Sequence, residues 1–346
     1  MKCFLHIGVE KTGSTALQHF LNLNREKLTG YGYYLPESAG KINHTRLAIA
    51  AYDHDRRDGL TVSMGIRNDA GDLAGFQQKT IEDLNKEIAI ASSLPSPLKI
   101  IFSSEHFQSR LTRSDEIHRL REIITALGIG EVKVIIYLRD PVEIANSLFS
   151  TAIKSGHTIK NPPPPDNPYF NHVCNHKNTL EQFGSVFGKD ALIPRLYTPT
   201  DLVNGSIIED FFHVTGIPAD KVYLFPEKLN ETLSATGISV LRKINEIIPR
   251  IVDDRINPLR ADIVKYFEKH FSRPKYMMPD ELIEQYRQVF KESNEWVRMN
   301  YFPHKTSIFQ GEFDQKSTGF ILPEEEAGRI ASLIADIWIS KHNGKI

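Results

Sequence analysis

The stretch "HIGVEKTGST", residues 6–15, indicates the architecture at the start of this chain of 346 residues. It overlaps an apolar run, residues 3–8, which we interpret as a buried strand that ends in glycine. From Ser14 to about Lys27 the apolar residues recur at helical spacing. The sequence therefore predicts a strand, a tight loop and a helix, an arrangement that directs backbone N–H groups and the helix dipole toward one point.

The glycine spacing of this loop is close to that of the phosphate-binding loop of nucleoside triphosphatases. Gly8, Gly13 and Thr15 match that pattern, but Ser14 occupies the lysine position, and Lys11 lies three residues earlier. Three interpretations are open at this point. The loop is an ordinary turn with an exposed lysine, or a degenerate triphosphatase loop. Alternatively, it is a cradle for a different anion, with the positive charge of Lys11 at the crown of the loop.

A second motif begins where the strongest strand pattern ends, at VKVIIYL, residues 132–138. Asp140 and Pro141 fit the N-cap and the first position of a following helix. Arg139 is therefore expected at the carboxyl end of a central strand, where open α/β sheets bind their ligands. Ser147, two turns into the helix, lies at an angle that lets it share a phosphate with Arg139. A structural arginine and a solvent-facing serine fit the same pattern.

Strands that alternate with helices predict an α/β fold with a P-loop-like central parallel β-sheet flanked by helices. The further predicted strands are residues 99–105, 132–138 and 191–197. Pro194 places the last of them at an edge of the sheet. We expect a single domain over 1–346, with the core sheet and donor site in 1–200 and a mostly helical C-terminal part in 201–346.

Composition narrows the classes of partner. The formal net charge of −1 gives no overall field that would attract nucleic acid or an anionic membrane. The two cysteines, Cys3 and Cys174, argue against a disulfide framework and favour a reducing compartment. No apolar run approaches the roughly 20 residues of a transmembrane helix, and the N-terminus does not read as a secretory signal. We expect a cytoplasmic protein without a nucleic-acid partner; the sequence does not indicate its oligomeric state.

Taken together, the two motifs resemble those of sulfotransferases that use 3′-phosphoadenosine 5′-phosphosulfate (PAPS). "KTGSTALQ", residues 11–18, is similar to their 5′-phosphosulfate loop, and "YLRDPVEIANSLFS", residues 137–150, is similar to their 3′-phosphate motif. The separation of eight residues between arginine and serine also matches. Three further segments, residues 103–107, 205–217 and 294–303, more weakly resemble bacterial members of this family that act on carbohydrates or other small acceptors.

This resemblance implies that PAPS donates a sulfuryl group, without a metal, to a hydroxyl or amine of a glycan, glycolipid or small molecule by in-line displacement. The implied donor-binding residues are Lys11, Thr12, Gly13, Ser14 and Thr15 for the 5′ end, and Arg139 and Ser147 for the 3′-phosphate. Lys11 would also be catalytic, because it would contact the bridging oxygen on which charge develops. We expect residues 30–75 and 150–175 to line the acceptor cleft.

Transfer to a hydroxyl needs a group that takes its proton, and members of the family use glutamate or histidine. The candidates are Glu105, His44 and His106. Glu105 ends the second core strand, and its neighbour His106 is expected to point to the opposite face. We place Glu105 first and His44 second. A capping or ion-paired glutamate and an ordinary N-terminal histidine are the structural alternatives.

Two other classes of function compete with this interpretation. In a P-loop nucleotide kinase or triphosphatase, VIIYLRD, residues 134–140, would be a Walker-B-like strand that ends in Asp140. In a non-catalytic nucleotide-binding module, the pocket would be present without a base. The lysine position argues against the first class, and only the presence or absence of transfer activity separates the second.

Two further clusters are interpreted as structural. On a helix predicted near 170–187, His172 and His176 share a face, but Cys174 lies about 200° away, so we predict no metal site. The charged stretch YDHDRRD, residues 52–58, is interpreted as a solvated loop.

Overall fold

The computed structural model describes residues 1–66, 70–93, 98–226, 232–252, 255–260, 263–271, 273–309 and 322–342. The chain forms two compact units. The sheet unit comprises residues 1–139, 171–228 and 292–308. The helical unit comprises residues 140–170, 229–291 and 309–346.

The strands are β1 (Lys2–His6), β2 (Tyr33–Tyr34), β3 (Lys99–Ser103), β4 (Glu131–Leu138), β5 (Leu192–Leu196), β6 (Ile251–Val252) and β7 (Arg255–Ile256). The helices are α1 (Ser14–Leu23), α2 (Arg25–Gly30), α3 (Thr45–Ala50), α4 (Gly59–Ser63), α5 (Ala70–Ala91), α6 (His106–Arg110), α7 (Ser114–Ala126), α8 (Pro141–Lys154), α9 (Pro168–Cys174), α10 (His176–Phe187), α11 (Ile207–Thr215), α12 (Ala235–Ile247), α13 (Ile263–His270), α14 (Asp280–Tyr301) and α15 (Glu324–His342). Short 3₁₀ turns lie at Lys189–Ala191, Val203–Gly205 and Pro258–Arg260.

The sheet unit contains a five-stranded sheet in the order β2-β3-β1-β4-β5, and every pair of neighbouring strands is parallel. The predicted α/β class with a central parallel sheet flanked by helices is therefore confirmed. In the observed register His6 lies beside Ser103 on one side and Ile135 on the other. The segments that follow β1, β3, β4 and β5 consequently leave the sheet at one edge, where open α/β sheets bind ligands.

Both faces of the sheet are buried. On one face, Phe4, Ile101 and Tyr137 pack against α1, α2 and α11, and Phe20 and Phe211 are among the helical residues of this core. The alternate residues of β1, β3 and β4 point to the other face and are also buried, namely Cys3, Leu5, Ile100, Phe102, Val134, Ile136 and Leu138. Strands covered on both faces are nearly continuous in apolar residues, which is why their sequence signal is strong.

Three local predictions differ from the structure. The segment predicted as one helix near 170–187 is two helices, because the Asn175 side chain accepts a hydrogen bond from the backbone of Asn178 and caps α10. The strand β2 was not predicted, because it is only two residues long. The Asp58 side chain, at the end of the stretch 52–58 that the sequence assigned to a solvated loop, caps α4.

In the helical unit, α12 contacts α8, α13 and α15. The Asp140 side chain accepts a hydrogen bond from the Val142 N–H at 2.8 Å, and Pro141 occupies the first turn of α8, as predicted. Among the described residues, no helix combines the length and the apolar character that a bilayer crossing requires.

Candidate active site

The loop between β1 and α1 has an unusual backbone. Gly8, Lys11 and Gly13 all have positive φ, at 64°, 69° and 77°. Glycine adopts this left-handed region freely, whereas a lysine does so at a cost, and such strained residues cluster at functional sites. The crown of the loop therefore holds the lysine that the sequence placed in an unexpected position.

A side chain at either glycine of the loop would crowd its neighbours. A Cβ on Gly8 would lie 3.0 Å from Glu105 Cα and 3.2 Å from Ser14 Oγ. A Cβ on Gly13 would lie 3.0 Å from the Tyr197 hydroxyl. The loop therefore lies directly against the residues that follow β3 and β5.

We expect Gly8→Ala to lower the free energy of unfolding by more than the strain of a left-handed φ alone would. The matched control is Gly128→Ala, where φ is 77° and the nearest atom is a flexible Met1 methyl at 3.7 Å. The control should cost about 1–2 kcal/mol, and Gly8→Ala should cost roughly 1–3 kcal/mol more because backbone must move. Chemical denaturation of both variants measures the difference; equal costs would show that Gly8 is not packed against Glu105.

The N-terminus of α1 has the features of an anion site. Gly13 is its N-cap and supplies no side-chain acceptor for the first N–H groups, and the first turn has no acidic residue. Ser14 Oγ is buried, and no described residue forms a hydrogen bond with it. The Thr12 hydroxyl is also buried and donates to the Val9 carbonyl at 2.7 Å, which braces the loop, whereas Thr15 is exposed. A buried polar atom without a partner together with the free N–H groups of a helix fits an oxyanion ligand.

Arg139 lies against the same loop. Its Nη1 donates to the Lys11 carbonyl at 2.5 Å, and its guanidinium stacks over the Tyr197 ring at 5.5 Å. The Arg139 carbonyl accepts a hydrogen bond from His176 Nε2 at 2.7 Å. Burial lowers the pKa of His176 to about 4, so the ring is neutral and carries its proton on Nε2. Arg139 is thus fixed at both its backbone and its side chain.

Glu105 also lies against this loop, next to Gly8. It is half-buried, and its Oε2 accepts a hydrogen bond from Gln18 Nε2 at 2.9 Å. The strand β3 ends at Ser103, and Glu105 occupies the N-cap position of α6 without capping it through its side chain. The expectation that Glu105 and His106 point to opposite faces of a strand is therefore wrong, because neither lies in the strand. The His106 ring has a buried Nδ1 without a hydrogen-bond partner among the described residues.

His44 is hydrogen-bonded to the end of β3. Its backbone N–H donates to the Ser103 carbonyl at 3.1 Å, and its Nδ1 accepts from the Ser103 N–H at 2.8 Å. The ring is buried, and burial, followed by the charge of Arg25, lowers its pKa to about 3. Since Nδ1 accepts from a backbone donor, the neutral ring carries its proton on Nε2. His44 therefore completes the hydrogen bonding of β3 where β2 has ended, and has no free lone pair.

Buried histidines should make the protein less stable in acid. Burial lowers the pKa of His6, like that of His44, to about 3, whereas an unfolded chain binds these protons near pH 6.5. The unfolded state then binds more protons, so stability is complete above pH 6.5 and falls as the pH decreases toward 3. His44→Asn, whose amide oxygen can accept the Ser103 N–H, should reduce the slope by about 1.4 kcal/mol per pH unit.

The measurement is the free energy of unfolding between pH 4 and 7, compared with the exposed control His118→Asn. The control should keep the wild-type slope. If His44→Asn also keeps it, the His44 ring does not remain neutral in the folded protein.

The structure thus brings most of the predicted site residues of the sheet unit to one loop, and places Ser147 in the second turn of α8 in the helical unit. Sequence reasoning missed Tyr197 and Gln18. Tyr197 follows a predicted strand, and Gln18 lies within the quoted motif, yet neither residue carries a chemical signal of its own. Only the contacts with Gly13 and Glu105 identify them.

The two clusters interpreted as structural have the following contacts. His172 Nε2 bonds to the Gln108 carbonyl, and the described residues contain no group of three His, Cys, Asp or Glu placed to hold a metal ion. The stretch 52–58 is not a solvated loop. Arg56 binds both oxygens of the fully buried Glu116 at 2.8 and 2.7 Å, and Asp53 pairs with two arginines of the chain.

The fold and the site together define an α/β protein in which the glycine-containing loop between β1 and α1 lies beside Arg139 and Glu105. No family model and no curated protein matches the sequence. The chain is similar to a solved structure described as the crystal structure of a sulfotransferase from Alicyclobacillus acidocaldarius, with a TM-score of 0.40 and 12% sequence identity. The likeness covers 86% of this chain and 94% of that chain.

Proposed function

We propose that the protein is a sulfotransferase that moves a sulfuryl group from PAPS to a hydroxyl or amine of a glycan, glycolipid or small molecule. The observation that carries the proposal is that one loop packs against the residue Glu105 and also accepts a hydrogen bond from a guanidinium. Gly8 packs on Glu105, and the Lys11 carbonyl accepts from Arg139. The resemblance of both sequence motifs to those of PAPS-dependent enzymes supports the same conclusion.

The residues of the loop fit the 5′ end of such a donor. The first N–H groups of α1 and the hydroxyl of Ser14 would hold the phosphate, with Thr12 and Thr15 beside them. When bound, PAPS supplies a sulfuryl group whose transfer breaks its bond to the bridging oxygen of the phosphate. The Lys11 ammonium would stabilise the negative charge that develops on that oxygen.

Arg139 is the proposed ligand of the 3′-phosphate, which distinguishes this donor from ATP. A guanidinium fixed by a carbonyl and by an aromatic ring keeps a defined orientation for a bidentate contact with a phosphate. The contribution of Ser147 to the same group rests on its spacing from Arg139 in the sequence.

We propose Glu105 as the general base. The Oε1 atom of Glu105 has no hydrogen-bond partner among the described residues, whereas Nδ1 of His44 already accepts from a backbone N–H. Glu105 would take the proton of the acceptor as the new bond between the acceptor oxygen and sulfur forms. Adenosine 3′,5′-bisphosphate would leave, with its charge balanced by Lys11.

The experiment that tests the proposal combines transfer and binding. Sulfur-labelled PAPS is incubated with the protein and a panel of cell-envelope glycans, glycolipids and phenols, and calorimetry measures binding of adenosine 3′,5′-bisphosphate and of ATP with magnesium. We expect label in an acceptor and preferential binding of the bisphosphate. Preferential binding of magnesium ATP would instead indicate a kinase or triphosphatase, and bisphosphate binding without label transfer would indicate a non-catalytic module.

A further inference from the structure

The helix α1 connects the anion-binding loop to the candidate base. Ser14 begins the helix, and Gln18 lies four residues later, so both side chains project from the same face. Ser14 Oγ lies near Gly8, and Gln18 Nε2 donates to Glu105 Oε2 at 2.9 Å. Because both contacts come from one rigid turn of helix, the helix would set the distance between an anion held at Ser14 and the carboxylate.

Gln18 is nearly inaccessible, with 3% of its surface exposed. A buried amide is costly unless its polar atoms are paired, and its partner here is Glu105, 87 residues away in the sequence. The packing around α1 therefore holds the amide in place, and the amide in turn holds one oxygen of the carboxylate.

Glu105 has little else to orient it. Its side chain makes no capping hydrogen bond to α6, and the described residues provide its carboxylate with the Gln18 contact alone. A half-buried glutamate without that contact would populate several rotamers. With Oε2 held, Oε1 keeps a defined direction.

We propose that Gln18 is a positioning residue that fixes the Glu105 carboxylate for proton transfer from the acceptor. This inference rests on the proposed sulfotransferase function. In this role Gln18 would act through Glu105 alone, by holding the base in the orientation that accepts the proton. Such an effect appears in kcat and leaves donor binding unchanged, because misplacement of a catalytic group slows the reaction after binding.

The test compares two leucine substitutions, one within α1 and one at its C-cap. Gln18→Leu removes the amide that binds Glu105, whereas Asn24→Leu removes a buried amide at the end of the same helix, which binds the Phe20 and Leu224 carbonyls. We expect Gln18→Leu to lower kcat by about 10-fold to 100-fold, using the best acceptor of the panel, without changing the affinity for adenosine 3′,5′-bisphosphate. Asn24→Leu should lower stability and keep the wild-type kcat.

A double-mutant cycle with Glu105→Gln separates positioning from a structural role. If Gln18 acts through Glu105, Gln18→Leu should have no further effect on kcat once the carboxylate is absent. Additive losses, a wild-type kcat in Gln18→Leu, or an equal loss in Asn24→Leu would overturn the role of Gln18 while leaving the sulfotransferase proposal intact. Absence of label transfer by the wild-type protein would overturn the proposed function, and the role of Gln18 with it.

Discussion

Replacing Lys11 with alanine should lower kcat for sulfuryl transfer by about 100-fold to 1,000-fold, the usual effect of removing one group that stabilises developing charge. Binding of adenosine 3′,5′-bisphosphate should weaken much less, because the ammonium acts on charge that appears only in the transition state. Steady-state kinetics with labelled donor and calorimetry with the bisphosphate measure the two effects separately.

The backbone of Lys11 supplies a control. Its φ of 69° strains any side chain, so Lys11→Gly should be about 1 kcal/mol more stable than Lys11→Ala. Both variants should nevertheless lose the same activity, since both lack the charge. If Lys11→Gly retained the wild-type kcat, the lysine would have no catalytic role.

Replacing Glu105 with glutamine should lower kcat by about 100-fold to 10,000-fold, because the amide cannot take a proton from the acceptor. The shape of the side chain is kept, so the loop and donor affinity should be unchanged. The matched control is Glu87→Gln, which alters a carboxylate bonded to the Tyr34 hydroxyl and to the backbone N–H groups of Glu37 and Ser38.

His44→Asn completes this comparison. If Glu105 is the base, His44→Asn should keep most of the activity at neutral pH, and Glu87→Gln should keep all of it. A large loss of kcat in His44→Asn with little loss in Glu105→Gln would assign the base to His44.

Much of the sheet could be predicted because its strands are buried on both faces and read as apolar runs. The strand β2 could not be predicted, since Tyr33 and Tyr34 form a strand only by pairing with Lys99 and Ile100. The break between α9 and α10 could not be predicted either. An asparagine within a helical pattern can face solvent or cap a helix, and only the structure shows that the Asn175 side chain accepts a capping hydrogen bond.

The candidate site also has features that the sequence could predict and features that it could not. Lys11 and Arg139 could be found from motif spacing, because a strand followed by a glycine-rich loop or an arginine has a recognisable local pattern. The contact of Gln18 with Glu105 and that of Arg56 with Glu116 join residues 87 and 60 positions apart. Local sequence contains no information on such pairs, so residues 52–58 looked solvated and Gln18 looked like ordinary helix.

The two edge strands of the sheet affect whether molecules of this protein associate through their sheets at high concentration. One edge strand is the two-residue β2. The other is β5, in which Pro194 has no N–H to donate to an added strand. Natural proteins use short outer strands and prolines to prevent another molecule from adding a strand of its own. This sheet is therefore poorly suited to polymerise edge to edge.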